Sequence, residues 1–142
     1  MLNFHYIYPI QVRFGDIDSQ GHVNNARIVT YFEQARIFYL KELSLWDGVS
    51  FLDLGLIVAD VHVAYKAPVH LTQSVQVGMR VSRLGNKSMT MESQLEDCDQ
   101  HILLATNDTV MVAYDYHEKK SIPIPDDWRE KIARYEGIPA HS

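Results

Sequence analysis

The chain has one cysteine, Cys98, so no internal disulfide can form. It lies in Glu96-Asp97-Cys98-Asp99, and neighbouring anions disfavour the thiolate that a cysteine nucleophile needs. It therefore reads as a turn or surface cysteine without catalytic duty. Basic residues are outnumbered, with 13 Lys and Arg against 18 Asp and Glu. A net charge of -5 gives no bulk attraction to nucleic acid or to an anionic membrane surface. No apolar run approaches the ~20 residues needed to span a bilayer. The opening Met1-Leu2-Asn3-Phe4-His5 lacks a basic region followed by a long apolar one, so it does not read as a signal peptide. The histidines are scattered without the close ligand spacing of a zinc site. Internal repeats, low-complexity tracts and linkers are also missing. The expectation is a cytoplasmic protein with no metal, no cofactor, and neither nucleic acid nor membrane as a partner.

What is present suffices for one domain over residues 1–142, because 142 residues with 46% hydrophobic content can bury a real core. From His5 to Phe14, Ile10, Val12 and Phe14 alternate with Gln11 and Arg13, which predicts a half-buried strand. Pro9 places its early part at an edge or bulge. The period then changes. Ile28, Phe32, Ala35, Tyr39 and Leu43 follow helical spacing, and Val29, Tyr31 and Phe38 widen the stripe. So much apolar surface predicts a largely enclosed helix. Asn24 or Asn25 is its N-cap candidate, and Asp47-Gly48 lies near its expected end. The rest alternates as strands: Val61 to Lys66, Val75 to Ser82, Ser88 to Leu95, and Ile102 to Tyr116, the last long enough for a bulge. Gly85-Asn86-Lys87 and Asp97-Cys98-Asp99-Gln100 supply turns, so the pairing is antiparallel. A short helix is expected over 126–135. The fold class is α+β, with a curved antiparallel sheet of about five strands wrapped around a long central helix. Open sheet edges invite pairing with a second copy.

The densest chemistry is Asp16-Ile17-Asp18-Ser19-Gln20-Gly21-His22-Val23-Asn24-Asn25. A carboxylate just ahead of a helix can attack an electrophile or activate water, while the unpaired first-turn amides bind the developing negative charge. A calcium loop fails, because its fifth and twelfth positions are Gln20 and Arg27. A phosphatase reading of Asp16-Ile17-Asp18 fails on chain length and on the antiparallel later strands.

Phe14-Gly15-Asp16-Ile17-Asp18, Gly21-His22-Val23-Asn24-Asn25 and Tyr31-Phe32-Glu33-Gln34-Ala35-Arg36 together resemble the 4-hydroxybenzoyl-CoA thioesterase family, which has the hotdog fold. The likeness continues through Val63-Ala64-Tyr65-Lys66-Ala67-Pro68 and Arg83-Leu84-Gly85-Asn86-Lys87-Ser88, and covers residues 5–116. The resemblance implies hydrolysis of an acyl-CoA thioester to free acid and CoA. It implies Asp18 as the catalytic carboxylate, the Asn25 amide as oxyanion donor, and a homodimer or homotetramer with sites at the subunit interface. An acyl carrier protein is a candidate alternative carrier. His22 is a candidate for bonding Asp18 or the substrate carbonyl, or for fixing the loop. Tyr65, Lys66, Lys87 and Ser88 are the substrate-binding candidates, with Lys66, Lys87, Arg83 and the Lys119-Lys120 pair toward the CoA phosphates and Ser88 toward the pantetheine arm or the carbonyl. Glu33 is a second candidate base, with pairing to Arg36 or Arg27 as its structural alternative. The family often has an aromatic residue where this chain has Ile28, which leaves an aliphatic acyl group open. The competing functions are a non-catalytic acyl-thioester binding module and a hydroxyacyl-thioester dehydratase.

Overall fold

Six strands and two helices account for the regular structure in the computed structural model, which describes residues 3–141. Met1 and Leu2, which open the stretch read for a signal peptide, and Ser142 lie outside the described residues. In chain order the elements are β1 (Tyr6–Ile10), α1 (Asn25–Glu42), β2 (Leu56–Tyr65), β3 (Val75–Leu84), β4 (Ser88–Asp97), β5 (Leu103–Asp115), β6 (Lys120–Ser121) and α2 (Asp126–Glu136). All pairings are antiparallel. The strand order is β1-β3-β4-β5-β2, with β6 against the end of β5. Pro9 lies in β1, an edge strand, where its missing N–H is tolerated.

The alternation read in the sequence becomes the inner face of the sheet. Val75, Val77, Met79 and Val81 of β3, Met89, Met91 and Leu95 of β4, and Ala105, Met111 and Ala113 of β5 are buried. Onto them α1 lays Ile28, Phe32, Ala35 and Tyr39. Three polar residues, Ser93, Asn107 and Thr109, interrupt this apolar floor. The bulge expected in the last long strand falls at Leu104, since Leu95 pairs with Ala105 but Glu96 pairs with Leu103. The freed Leu104 carbonyl accepts from the amides of Lys66 and Ala67 at 2.8 and 3.2 Å. This pins the exit of β2 beside the start of α1.

The structure differs from the sequence reading in three places. Phe14 is not part of β1. The chain turns into a short 3-10 segment at Phe14–Asp16, and the Phe14 ring is 82% exposed. α1 ends five residues ahead of Asp47, where Ser44 takes the left-handed conformation (φ 57°). There the Leu45 amide reaches Leu40 O and the Ser44 amide reaches Lys41 O, closing the helix without a glycine. The enclosure of α1 is also partial. Glu33, Gln34, Phe38 and Lys41 face outward in the single chain.

The C-terminal α2 closes the far end of the sheet with buried Trp128 and Ile132. Its Arg129 donates to the carbonyls of Gly85, Asn86 and Ala140 at 2.8, 3.1 and 2.7 Å. Its Glu136 accepts from the Tyr39 hydroxyl at 2.6 Å and from the Val81 amide at 2.9 Å, beside a register shift in the β3–β4 ladder.

Candidate active site

The loop between β1 and α1 is built by its own sequence. Ile17 and Val23 form an antiparallel bridge. Inside it the Gly21 amide donates to Asp18 O, and the Asp18 amide donates to His22 O, each at 3.0 Å. Gly21 sits at φ 81° with open space around it, so its role is the left-handed backbone and not close approach. The Val23 amide bonds Val69 O at 2.8 Å, which draws the segment after β2 against the loop.

Two aspartates two positions apart are given different work. Asp16 Oδ2 accepts from the Tyr31 hydroxyl at 2.6 Å and from the Arg13 amide at 3.0 Å. Burial pushes the Tyr31 phenol well above its usual range, and the bond to Asp16 adds to the shift. Asp16 is thereby a structural clamp between loop and helix. Asp18 Oδ1 accepts the Gln20 amide at 2.9 Å, the local turn that its sequence context suggests. Its Oδ2 has one distant donor, Asn24 Nδ2 at 3.4 Å.

Asn24 is the N-cap. Its Oδ1 accepts the Ala26 amide at 2.8 Å, and its carbonyl receives Arg27 and Ile28. The Asn25 amide has no acceptor among the described residues. It stands at the positive end of an 18-residue helix. Asp18, His22, Asn25, Tyr65 and Lys66 all line one open cleft of about 380 Å³, whose apolar wall includes Ile28 and Val69. Tyr65 does more than line it, since its hydroxyl donates to Asn25 O at 3.1 Å and tethers β2 to the first turn of α1. The His22 ring makes no hydrogen bond to the Asp18 carboxylate among the described residues. Its ring packs edge-on against His70, with centroids 5.0 Å apart.

Lys87 and Ser88 are not brought to this cleft within one chain. Ser88 pairs with Val112, whereas Tyr65 pairs with Ala105, so about 24 Å of β5 separates the two ends. Glu33 likewise lies outside the cleft, on a second cavity further along α1, and makes no ion pair within 4.0 Å among the described residues. Lys120 pairs with Glu118 at 2.9 Å on the surface. Burial, and then the charges of Asp99, Asp97 and Glu96, push the Cys98 thiol pKa up. Among the described residues no cluster of three His, Cys, Asp or Glu side chains is placed to hold a metal ion. No described helix is long and apolar enough to cross a membrane. The sequence reading did not single out the Tyr65 tether or the proximity of His70. Both depend on how the β2 exit meets the loop.

Residues 12–132 match the thioesterase-like superfamily. The chain belongs to that family. The chain is similar to the long-chain acyl-CoA thioesterase FadM of Escherichia coli, 23% identical over 87% of this chain and 93% of the relative. It is also similar to the acyl-CoA thioesterase YbgC of Haemophilus influenzae, 26% identical over 89% of this chain and 93% of the relative. A crystal structure of a Thermus thermophilus thioesterase complexed with coenzyme A and Zn superposes with a TM-score of 0.86. That protein is 33% identical to this chain, and the match covers 98% of this chain and all of the other. The hotdog architecture expected from the sequence is therefore the fold of this chain, a curled antiparallel sheet around α1.

Proposed function

We infer that this chain hydrolyses acyl-CoA thioesters, with the Asp18 carboxylate driving the attack and the Asn25 amide holding the oxyanion. The single observation that carries the reading is that an under-bonded carboxylate oxygen and an acceptor-free helix amide line the same cleft. The superfamily match and the thioesterase names of its relatives support it.

A thioester carbonyl seated in the cleft places its oxygen at the Asn25 amide. As the carbonyl carbon becomes tetrahedral, negative charge gathers on that oxygen, and the helix terminus stabilises it without reorganising. Such a donor is worth about 3 kcal/mol in the transition state. Asp18 Oδ2 either attacks the carbon itself or takes a proton from water that attacks. In both routes the C–S bond breaks, the CoA sulfur leaves as thiolate and picks up a proton, and the acyl group ends as the free acid. In the first route water then cleaves the mixed anhydride. His22 borders the cleft beside Asp18 and shapes the approach of the carbonyl. Lys66 lies at the mouth, where a phosphate-bearing carrier enters.

A second copy completes the site. β2 is a ten-residue edge strand whose Val58 and Val61 are each 43% exposed, and such an edge pairs readily. Antiparallel pairing of two β2 strands sets the Leu56 end of one beside the Tyr65 end of the other. It carries the turn with Lys87 and Ser88 of the second copy toward the Asp18 cleft, where those residues meet the CoA phosphates and the pantetheine arm. A homodimer is thus the working unit.

The test is free-thiol release from a panel of short, long, branched and aryl acyl-CoAs and acyl carrier proteins. Asp18→Asn keeps the volume and removes the charge. It is expected to lower kcat at least about a hundredfold with the fold intact by circular dichroism. Replacing His22 by Ala is expected to cost less. Saturable binding without thiol release across the panel would replace this reading by an acyl-thioester binding module.

A further inference from the structure

α1 packs over β3 and β1 and leaves a gap toward β2. The Asp18 cleft occupies one end of that gap, between the start of α1 and the exit of β2. The other end widens into a cavity of about 520 Å³, walled by Glu33, Arg36, Ile37, Leu56, Met111 and Tyr116. Arg36 is only 7% exposed there.

The Arg36 guanidinium has five N–H donors to satisfy. Nη2 reaches Thr109 Oγ1 at a long 3.3 Å, and that hydroxyl donates onward to Asn107 Oδ1 at 3.1 Å. Nε is sealed from the cavity and has no acceptor among the described residues. No carboxylate lies within 4.0 Å of this arginine among the described residues. Burial pulls its pKa below the usual arginine value, and the charge of Glu33 opposes that pull. A buried cation with one long hydrogen bond is costly to keep. The cavity that Arg36 lines has room for an acceptor at the rest of the guanidinium.

The position of that acceptor follows from the helix. From Asn25 to Arg36 the axis rises about 16 Å, and a long helical side chain leans back toward the helix start, leaving roughly 10 Å between thioester carbonyl and guanidinium. An acyl chain of about eight carbons bridges that interval along the gap.

We propose that the Arg36 cavity receives the far end of the acyl group and selects chains that carry an oxygen acceptor there, a hydroxyl or a carboxylate, over chains that end in methyl. This rests on the hydrolase reading. A hydroxyl is matched twice, accepting from Arg36 and donating to the Glu33 carboxylate on the same wall. A carboxylate is matched by Arg36 alone. A methyl end offers the guanidinium no acceptor.

The experiment compares kcat/KM, by thiol release, for octanoyl-CoA, omega-hydroxyoctanoyl-CoA and suberoyl-CoA with the full chain. At least one oxygenated chain is expected to exceed octanoyl-CoA by about tenfold or more. Arg36→Met is expected to erase that preference while leaving octanoyl-CoA turnover within a few-fold. Thr109→Val keeps the arginine and removes the one hydrogen bond its guanidinium makes among the described residues, so it serves if the Met variant does not fold. It is expected to blunt the preference. Equal or slower turnover of both oxygenated chains by the unaltered protein overturns the proposal. So does an Arg36→Met variant that loses dimer mass without changing the preference, which would assign the arginine to the subunit contact. If no chain is hydrolysed, the hydrolase reading has failed. Thermal shift with omega-hydroxyoctanoate and suberate against octanoate then tests the subsite alone, and identical shifts for all three acids overturn it.

Discussion

The Tyr31 hydroxyl donates to Asp16 Oδ2 at 2.6 Å, and this one bond separates the duties of two aspartates that neighbour each other in sequence. Asp16 is taken up by Tyr31 and the Arg13 amide, with Arg27 Nε 4.0 Å from its other oxygen. Asp18 Oδ2 receives only a long hydrogen bond, from Asn24 Nδ2 at 3.4 Å, among the described residues.

Tyr31→Phe is therefore expected to destabilise the fold by about 2 kcal/mol, the scale of a hydrogen bond to a charged group. Urea unfolding measures it. Turnover should fall far less than in Asp18→Asn, because the loop loses a clamp and not a reacting group. A turnover loss equal to that of Asp18→Asn would put Asp16 in the chemistry.

Asn25 offers a cleaner test of the proposed oxyanion donor than any side-chain change. It is the first helical residue, where proline is tolerated because no N–H is needed by the helix. Asn24 already has φ -60° and ψ 140°, the extended backbone that a following proline demands. Asn25→Pro should thus fold normally, with an unchanged melting temperature within about 2 °C. It should lose about a hundredfold or more in kcat with little change in KM. Full activity in that variant removes the amide from the mechanism.

Acid sensitivity is expected to come from turn carboxylates. Asp97 accepts the Asp99 and Gln100 amides at 2.8 Å each and Gln73 Nε2 at 2.9 Å, and these bonds, the Gln100 amide foremost, hold its pKa below the ordinary 3.8. The unfolded chain therefore binds this proton more tightly than the folded one. The contribution is fully present above the ordinary aspartate value and is lost as pH falls through the depressed folded value. Urea midpoints should stay level from neutral pH to about pH 5 and decline below it. Asp97→Asn should be less stable at pH 7 and show a shallower decline. An unchanged acid limb would shift the effect to Asp47 and Asp115, whose carboxylates are held the same way.

Much of this was legible in the residues, because β3 alternates from Val75 to Val81, β4 alternates apart from the buried Ser93, and Asn24 caps a helix that repeats every three to four positions. The misread parts share a cause. Ile10, Val12 and Phe14 alternate like a strand, but capture of the Arg13 amide by Asp16 turns the chain before Phe14 can pair. Gly48 looks like a helix stop, yet Ser44 pays the left-handed strain earlier. Asp18, His22, Asn25, Tyr65 and Lys66 converge because Val69 and Leu104 fasten the β2 exit to the loop. The Lys87–Ser88 motif carries no sign of which sheet end it occupies, and the lengths of β3 and β4 decide that. Arg36 follows Phe32 by four positions and precedes Leu40 by four, so the periodicity buries it while its charge argues for the surface.

The grip of Glu136 on both Tyr39 and Val81 has a practical consequence. A carboxylate near the end of the chain stitches the central helix to the sheet at the place where the ladder is out of step, so shortening the protein ahead of α2 would unzip the scaffold from behind. Reporter fusions belong on the exposed turn at 117–119, away from that rear fastening.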